Sequence, residues 1–370
     1  MWGRAMAKKV TKSSGFTEAN SKIDRMFAEF LLRVRTQSGI VRMLYILVIA
    51  FAFFTLLKPA IFLNPLNIQN IMVASPEIGI IAIAMTFAML TGGIDLSIVS
   101  IANLSAITIT TLYSTMAAVD PDQAAQMMPL IVLLGVIVGL AGGLVNGFLV
   151  AVVGITPILA TLGSMQIFNG LAIVWTGGKT LYGAPEELAR LGKLVIWGMP
   201  SLFIALLVIA GLVALVLNKS SLGKKAQLLG TNQVAANYSG INPKQVLLRT
   251  YMLTGLLGGL AGIVFIARNP TSSADYGSSY VLLAIVIAIL GGTNPFGGFA
   301  TVTGVVLATL TLQTVQSGFN AIRLSAYEYS IAQGVILIMV MIFAQISVTT
   351  KIRDLFKKIK LSKPKSEMNQ

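Results

Sequence analysis

The chain contains no cysteine and no histidine among its 370 residues. Without thiols there can be no disulfide, no thiolate nucleophile and no sulfur ligand, and without imidazole the usual zinc and haem sites are excluded as well. No side chain has an unperturbed pKa near neutrality, so acid–base catalysis would need a strongly shifted carboxylate or lysine. Charge is scarce too: 11% of residues are charged, against about a quarter in soluble domains. No carboxylate occurs between Glu187 and Asp275. The chain also lacks a Gly-x-x-x-x-Gly-Lys-Ser/Thr run, and so has no nucleotide-binding loop of its own.

What is abundant is apolar sequence. Hydrophobic residues make up 55% of the chain and the mean hydropathy is +0.83, which predicts an all-α polytopic membrane protein. The net charge of +14 is concentrated: of 27 Lys and Arg, nine lie in 1–42, five in 219–249 and seven in 351–365. These groups border apolar spans instead of striping a soluble domain, so lipid and the insertion machinery explain them and no nucleic-acid partner is expected. The first 42 residues do not read as a secretory signal. Within them, 22–35 set Ile23, Phe27 and Phe30 against Lys22, Arg25 and Arg33, the pattern of a helix lying along the inner leaflet. The expected division is a cytoplasmic N-terminal segment (1–39), a transmembrane domain (40–347) and a basic cytoplasmic tail (348–370).

A helix needs about 20 apolar residues to cross a hydrocarbon core. Spans are expected near 40–57, 70–90, 96–118, 129–151, 155–175, 200–217, 250–267, 279–290, 298–317 and 327–347. Ten crossings place both termini and the basic 218–249 loop on one side, the cytoplasmic one by lysine and arginine bias, and the acidic 119–128 loop outside. Eight remains an alternative if the short glycine-rich stretches are re-entrant. Two such stretches, Thr91–Ser97 and Gly291–Gly298, place polar sequence between apolar runs, one in each half. Irregular backbone at that depth must be buried in protein or line an aqueous cavity.

Gly135, Gly139 and Gly143 form a small-residue face, as do Gly255 with Gly259 and Gly258 with Gly262, which permits close helix approach. Asp95 stands just before the third span, where its carboxylate either caps that helix or contacts a polar solute. Glu77, beside Pro76, lies at an interface or is buried and paired. Asn146, Thr156, Thr161, Gln166 and Asn169 either line a hydroxyl-recognising passage or hydrogen-bond between helices. Within the basic loop, Asn232–Ser239 predicts a short helix begun by Thr231 or Asn232 and ended at Gly240. It buries little by itself, so it is a surface connector or a contact element for another protein.

The run from Gly223 through Ala235, Ala236, Ser239, Gly240, Ile241 and Asn242 resembles the cytoplasmic loop of the permease subunits of ribose-type ABC importers. That family also serves xylose, arabinose, galactose, nucleosides and the signal AI-2. Thr91-Gly92-Gly93-Ile94-Asp95-Leu96-Ser97 resembles its GIDLS motif, although Val99 stands where the family pattern has glycine. The 142–163 stretch and Leu290-Gly291-Gly292-Thr293 with Gly297-Gly298 are similar to further family segments. Four matches in order cover about residues 40–347.

The resemblance implies a pore-forming subunit, not an enzyme, in a bacterial inner membrane. It would pair with a second permease subunit, identical or paralogous. It implies an ATP-binding cassette ATPase, which carries ATP and Mg while this chain carries no cofactor or metal, and an extracytoplasmic solute-binding protein delivering a small polar solute, foremost a monosaccharide. Residues Gly230, Asn232, Ala235, Ala236, Ser239, Gly240 and Asn242 would then couple to the ATPase. Gly93, Asp95, Ser97, Asn146, Gln166, Asn169, Gly291, Gly292 and Thr293 would be pathway or structural-motif residues. An ion-coupled secondary carrier, and a nucleoside- or AI-2-specific permease, are the alternative readings.

Overall fold

The computed structural model describes residues 39–323 together with Ser325, Glu328, Ile331, Gly334, Val335 and Ile338. The expected surface helix at 22–35, nearly all of the expected tenth span and the basic tail lie outside the described residues.

The described chain is a bundle of helices. They are α1 (Gly39–Leu57), α2 (Pro59–Phe62), α3 (Pro65–Leu90), α4 (Ile98–Ala117), α5 (Pro121–Phe148), α6 (Pro157–Thr176), α7 (Glu186–Lys193), α8 (Ser201–Lys219), α9 (Ser221–Thr231), α10 (Gln233–Tyr238), α11 (Pro243–Arg268), α12 (Tyr280–Leu290) and α13 (Val302–Ala321). Six of them are long and apolar enough to cross a membrane: α3, α4, α5 with its π-helical extension to Val153, α6, α8 and α11. The apolar helices Met43–Leu57 and Tyr280–Leu290 are shorter. The only strands among the described residues are two-residue pieces, Leu181–Tyr182 paired with Thr271–Ser272 and Val195–Ile196 paired with Met199–Pro200.

Helix ends follow local chemistry. Proline occupies the first turn of α3, α5, α6 and α11, where its missing N–H costs nothing. Asn64, Asp120 and Asn242 cap three of these by accepting N–H bonds from the first turn, so they start earlier than apolar content alone suggests: Pro121 against 129, and Pro243 against 250. The 176–199 connector, expected to be a loop, holds the amphipathic helix α7. Glu186 and Glu187 sit in its first turn and Arg190 and Lys193 in its last, an arrangement the helix dipole favours.

Helices α3, α4 and α11 are largely buried, whereas α5, α6 and α8 present many apolar side chains outward. The close crossing is between α5 and α11, where the Gly135/Gly139/Gly143 face meets the Gly255/Gly259 face, while Gly258 and Gly262 lie against Ile101 and Ala102 of α4. A Cβ at Gly139 would stand 2.6 Å from the Gly259 Cα, and one at Gly255 would stand 2.5 Å from the Gly143 Cα. The backbones touch, as small-residue helix pairs allow.

The bundle has two chemically different ends. One gathers the 91–97 turn, the 154–156 turn, α9 and α10 with Lys219, Lys224, Lys225, Lys244 and Arg249, and the 291–298 turn. The other carries Lys179, Arg190, Lys193 and Arg323 mixed with Asp120, Asp122, Glu186, Glu187 and Asp275.

Candidate functional site

At the basic end, the motif-bearing turns are tied together. Gly92 takes a positive φ of 79°, which reverses the chain after α3 and carries Asp95 into a fully buried position. Its Oδ1 accepts from the Ser97 N–H at 3.1 Å and from the Ser97 hydroxyl at 2.7 Å, and its Oδ2 accepts from the Thr254 hydroxyl at 2.8 Å. Asn146 Nδ2 donates to Ser97 Oγ at 2.6 Å, and Ser164 Oγ donates to Asn146 Oδ1 at 2.5 Å. One chain of hydrogen bonds thus runs from α6 through α5 and the start of α4 to α11. Thr161 Oγ1 reinforces it, accepting from the Leu96 N–H at 3.1 Å. Val99, where the family pattern has glycine, is itself buried.

A second junction joins α3, α9 and the 291–298 turn. The Gly298 N–H donates to the Leu90 carbonyl at 2.9 Å. A Cβ on Gly230 would stand 2.6 Å from the Gly298 nitrogen, and one on Gly297 would stand 2.8 Å from the Gly230 carbonyl oxygen. Gly291 packs on Gly304 and Val305, and Gly292 takes a φ of 93°. Thr293 Oγ1 lies 3.4 Å from Thr86 Oγ1.

From this junction α10 projects. Asn232, rather than Thr231, caps it by accepting from the Ala235 N–H at 3.0 Å; Ser239 Oγ donates back to the Ala235 carbonyl at 2.9 Å. Gly240 closes it with a φ of 78°, and Asn242 then caps α11. Ala236 is buried against the bundle, while Ala235 is exposed. Val234 and Tyr238, four residues apart and so on one face, are 66% and 91% exposed. A cavity of roughly 840 Å³ lies beside α10, lined by Thr91, Gly154, Thr156, Asn237 and Lys244 among others.

The opposite end holds a different feature, a cavity of about 600 Å³ between α3, the end of α11, α12 and α13. Its walls carry Asn67 and Asn70 from α3 and Gln313, Gln316, Ser317 and Asn320 from α13; these spacings put each set on one helix face. Ser317 Oγ donates to Asn67 Oδ1 at 2.7 Å, and Gln313 Nε2 donates to the Ala74 carbonyl at 3.3 Å. Arg268 and Tyr280 also line it. Behind them sits Glu77, with 0% exposure. Its Oε2 accepts from Arg268 Nη1 and from the Tyr280 hydroxyl at 3.2 Å; its Oε1 accepts from the Tyr276 hydroxyl at 2.8 Å. Asn103 Nδ2 holds the carbonyls of Ala274 and Tyr276 at 2.8 and 2.9 Å, which draws the 273–276 turn into the bundle.

None of the residues proposed from the sequence as pathway candidates lines this cavity. Gly93, Asp95, Ser97 and Asn146 belong to the first junction; Gly291, Gly292 and Thr293 belong to the second. Gln166 is exposed on the outer face of α6, and Asn169 is half-buried on the same helix. Glu77 is buried and paired, one of the two expectations for it. The residues that sequence reasoning passed over are Asn67, Asn70, Gln313, Gln316, Asn320 and Arg268. The signal on α13 is a polar stripe, Gln313, Gln316 and Asn320, at i, i+3 and i+7; Asn67 and Asn70 stand at i and i+3 inside α3, where the sequence suggests a polar connector.

Comparison with known proteins gives the family. Residues 67–344 match the family model described as branched-chain amino acid transport system / permease component. The D-allose transport system permease protein of Escherichia coli K12 is 34% identical over 294 residues, covering 80% of this chain and 88% of that protein. The ribose import permease protein of Bacillus subtilis 168 is 33% identical over 297 residues, covering 80% and 88%. An autoinducer 2 import system permease protein of Salmonella typhimurium LT2 is 29% identical over 276 residues, covering 73% and 80%. No solved structure matches the chain.

Proposed function

The chain belongs to the branched-chain amino acid transport system / permease component family, and from that premise we propose that it is the membrane-spanning subunit of an ATP-driven importer for a small hydroxylated solute, foremost a monosaccharide. It is a transport component and not an enzyme. ATP and Mg belong to a separate ATPase subunit. A solute-binding protein delivers cargo at the far side, and a second permease subunit completes the pathway.

The observation that carries the solute class is the cavity walled by Asn67, Asn70, Gln313, Gln316 and Asn320. Carboxamides donate and accept at once, which suits the hydroxyl groups of a sugar, and Tyr280 lines the cavity beside them. A branched aliphatic side chain would leave those carboxamides unpaired, at a cost of about 1–3 kcal/mol each where they are desolvated. The relatives named for allose and ribose import point the same way.

Lysine and arginine bias orients the bundle with the 219–249 end in the cytoplasm, so the cavity opens outward and α10 meets the ATPase. Counting α1, α12 and α13 together with the span expected from sequence at 327–347 gives ten crossings, α12 being a short one that starts beside Glu77.

The test is reconstitution of the chain with its ATPase and binding protein in proteoliposomes. Uptake of D-ribose or D-allose should require ATP, and solute-loaded binding protein should stimulate hydrolysis. Accumulation against a gradient by vesicles holding this polypeptide alone would instead establish a secondary carrier.

A further inference from the structure

The cavity floor holds a buried carboxylate and an arginine that the transport reading above leaves without a task. Burying such a pair gains little: an apolar pair of similar volume usually does as well or better. Ionisable groups inside a membrane bundle are rare and point to function. What the arrangement achieves is visible in its hydrogen bonds. All three donors around Glu77, from Arg268, Tyr276 and Tyr280, converge on its two oxygens. Both carboxylate oxygens are therefore bonded within the protein, and the group is unexposed, so a solute in the cavity does not reach it. Arg268 is turned the other way. Its side chain is 31% exposed, it lines the cavity, and its one protein partner among the described residues is Glu77 through Nη1. Its guanidinium is thus only partly used by Glu77, and the side chain borders the space where solute would sit.

We propose that Glu77 and Arg268 form a charge-cancelled floor that selects neutral polyhydroxylated solutes over their anionic analogues. Arg268 supplies directional donors to hydroxyl or ring oxygens, while Glu77 removes the net positive charge that would otherwise draw in carboxylated or phosphorylated sugars. This rests on the reading of the cavity as the solute path. Among the described residues, Arg323 and Asp275 are further charged groups at this end of the bundle. Arg323 lines the cavity and is exposed, where water and salt screen it. Asp275 is exposed in the 269–279 connector and does not line the cavity. Neither changes the charge of the floor itself.

A chain without cysteine permits a direct measurement. Ala74 lines the cavity one helical turn from Glu77, so Ala74→Cys places a single thiol about 6 Å from the pair. In the assembled importer, the ratio of its reaction rates with anionic and cationic methanethiosulfonates reports the local potential. With the pair intact, and with Arg323→Gln to remove the rim charge, the ratio should lie within about threefold of that for a free thiol. A ratio about tenfold in favour of the anion would mean an uncancelled cation and would overturn the proposal without any change to the pair.

Glu77→Gln should then raise the ratio about tenfold, and Glu77→Gln with Arg268→Gln should return it to the parent value. The double variant leaves no unpaired charge and remains informative if the single one fails to assemble. Protection of the thiol gives the solute side. D-ribose should slow labelling of the parent more than D-ribonate does, and Glu77→Gln should reverse that order. A ratio that ignores Glu77→Gln while D-ribose still protects overturns the filter and leaves the pathway standing. A ratio that moves while neither solute protects in either background removes the pathway reading, and the filter with it.

Discussion

The contact between α5 and α11 allows a graded test of how the bundle is held, because two glycines at the same crossing differ in the space around them. A methyl at Gly139 would lie 2.6 Å from the Gly259 Cα and 2.7 Å from both the Gly255 carbonyl oxygen and the Gly259 nitrogen. All three are backbone atoms and cannot rotate away. Carbon atoms pack at about 3.5–4.0 Å, so Gly139→Ala must push the helices apart by about 1 Å. A methyl at Gly259 would meet the Cα atoms of Gly139 and Val136 at 3.3 Å, a shortfall of only about 0.3 Å against ordinary packing.

Alanine gains about 1 kcal/mol over glycine in helix propensity at either site, and forced overpacking costs about 1–3 kcal/mol, more where backbone must move. Gly259→Ala should therefore come out within about 0.5 kcal/mol of neutral, and Gly139→Ala should be destabilised by about 2 kcal/mol. The assay is the thermal inactivation midpoint of the purified importer, with the yield of assembled complex as a second readout. Equal midpoints for the two variants, or a lower midpoint for Gly259→Ala, would refute the reasoning.

Asp95→Ala should leave the Ser97 N–H and hydroxyl without their acceptor in a dry site, while the Thr254 hydroxyl keeps the Tyr251 carbonyl, costing about 2–4 kcal/mol and lowering transport; normal uptake with a normal midpoint would show that the carboxylate has no such role. Ala235→Arg should leave the bundle intact but abolish solute-stimulated ATP hydrolysis, because Ala235 is exposed; Ala236→Arg should also lower the yield of folded permease, since Ala236 is buried. Identical yields for the two would argue against the orientation of α10. Gly230→Ala should uncouple hydrolysis from uptake by forcing α9 off the Gly298 nitrogen, which a Cβ would approach to 2.6 Å; uptake unchanged per ATP hydrolysed would count against it.

Much of the bundle was legible because the apolar runs are long and their ends carry proline and capping residues. The short helix at 233–238 was legible for the same reason: Asn232 and Gly240 bracket it. Helix starts at Pro121 and Pro243 were placed late because a cap with a polar first turn extends a helix beyond its apolar stretch. Pairing of the glycine faces needed the fold, since a small-residue spacing says that something approaches closely but not what. The outer cavity was hidden differently. Asn67 and Gln313 are 246 positions apart and acquire meaning only when α3 and α13 lie side by side. Each residue singly reads as a helix-bundle hydrogen bonder. Asp95 drew attention because a lone carboxylate near a span is conspicuous, yet its three hydrogen bonds, from Ser97 and Thr254, occupy it locally.

These placements separate recognition from force. The motif residues cluster at the basic end, where Asp95, Gly230 and Gly298 lock turns to helices, and the carboxamides proposed to meet solute line the cavity at the other. Of the elements that join the two regions, α11 begins at the Asn242 cap next to α10, bonds to Asp95 through Thr254 and finishes at Arg268 on the cavity floor. At 1.5 Å per residue it is about 39 Å long. Four glycines between 255 and 262 make it a weak helix by propensity, so its straightness depends on the α5 surface it lies against. Displacement of α10 would then be delivered to the Glu77–Arg268 floor by α5 and α11 moving as one body, and α3, which carries Glu77, is the surface they would slide on.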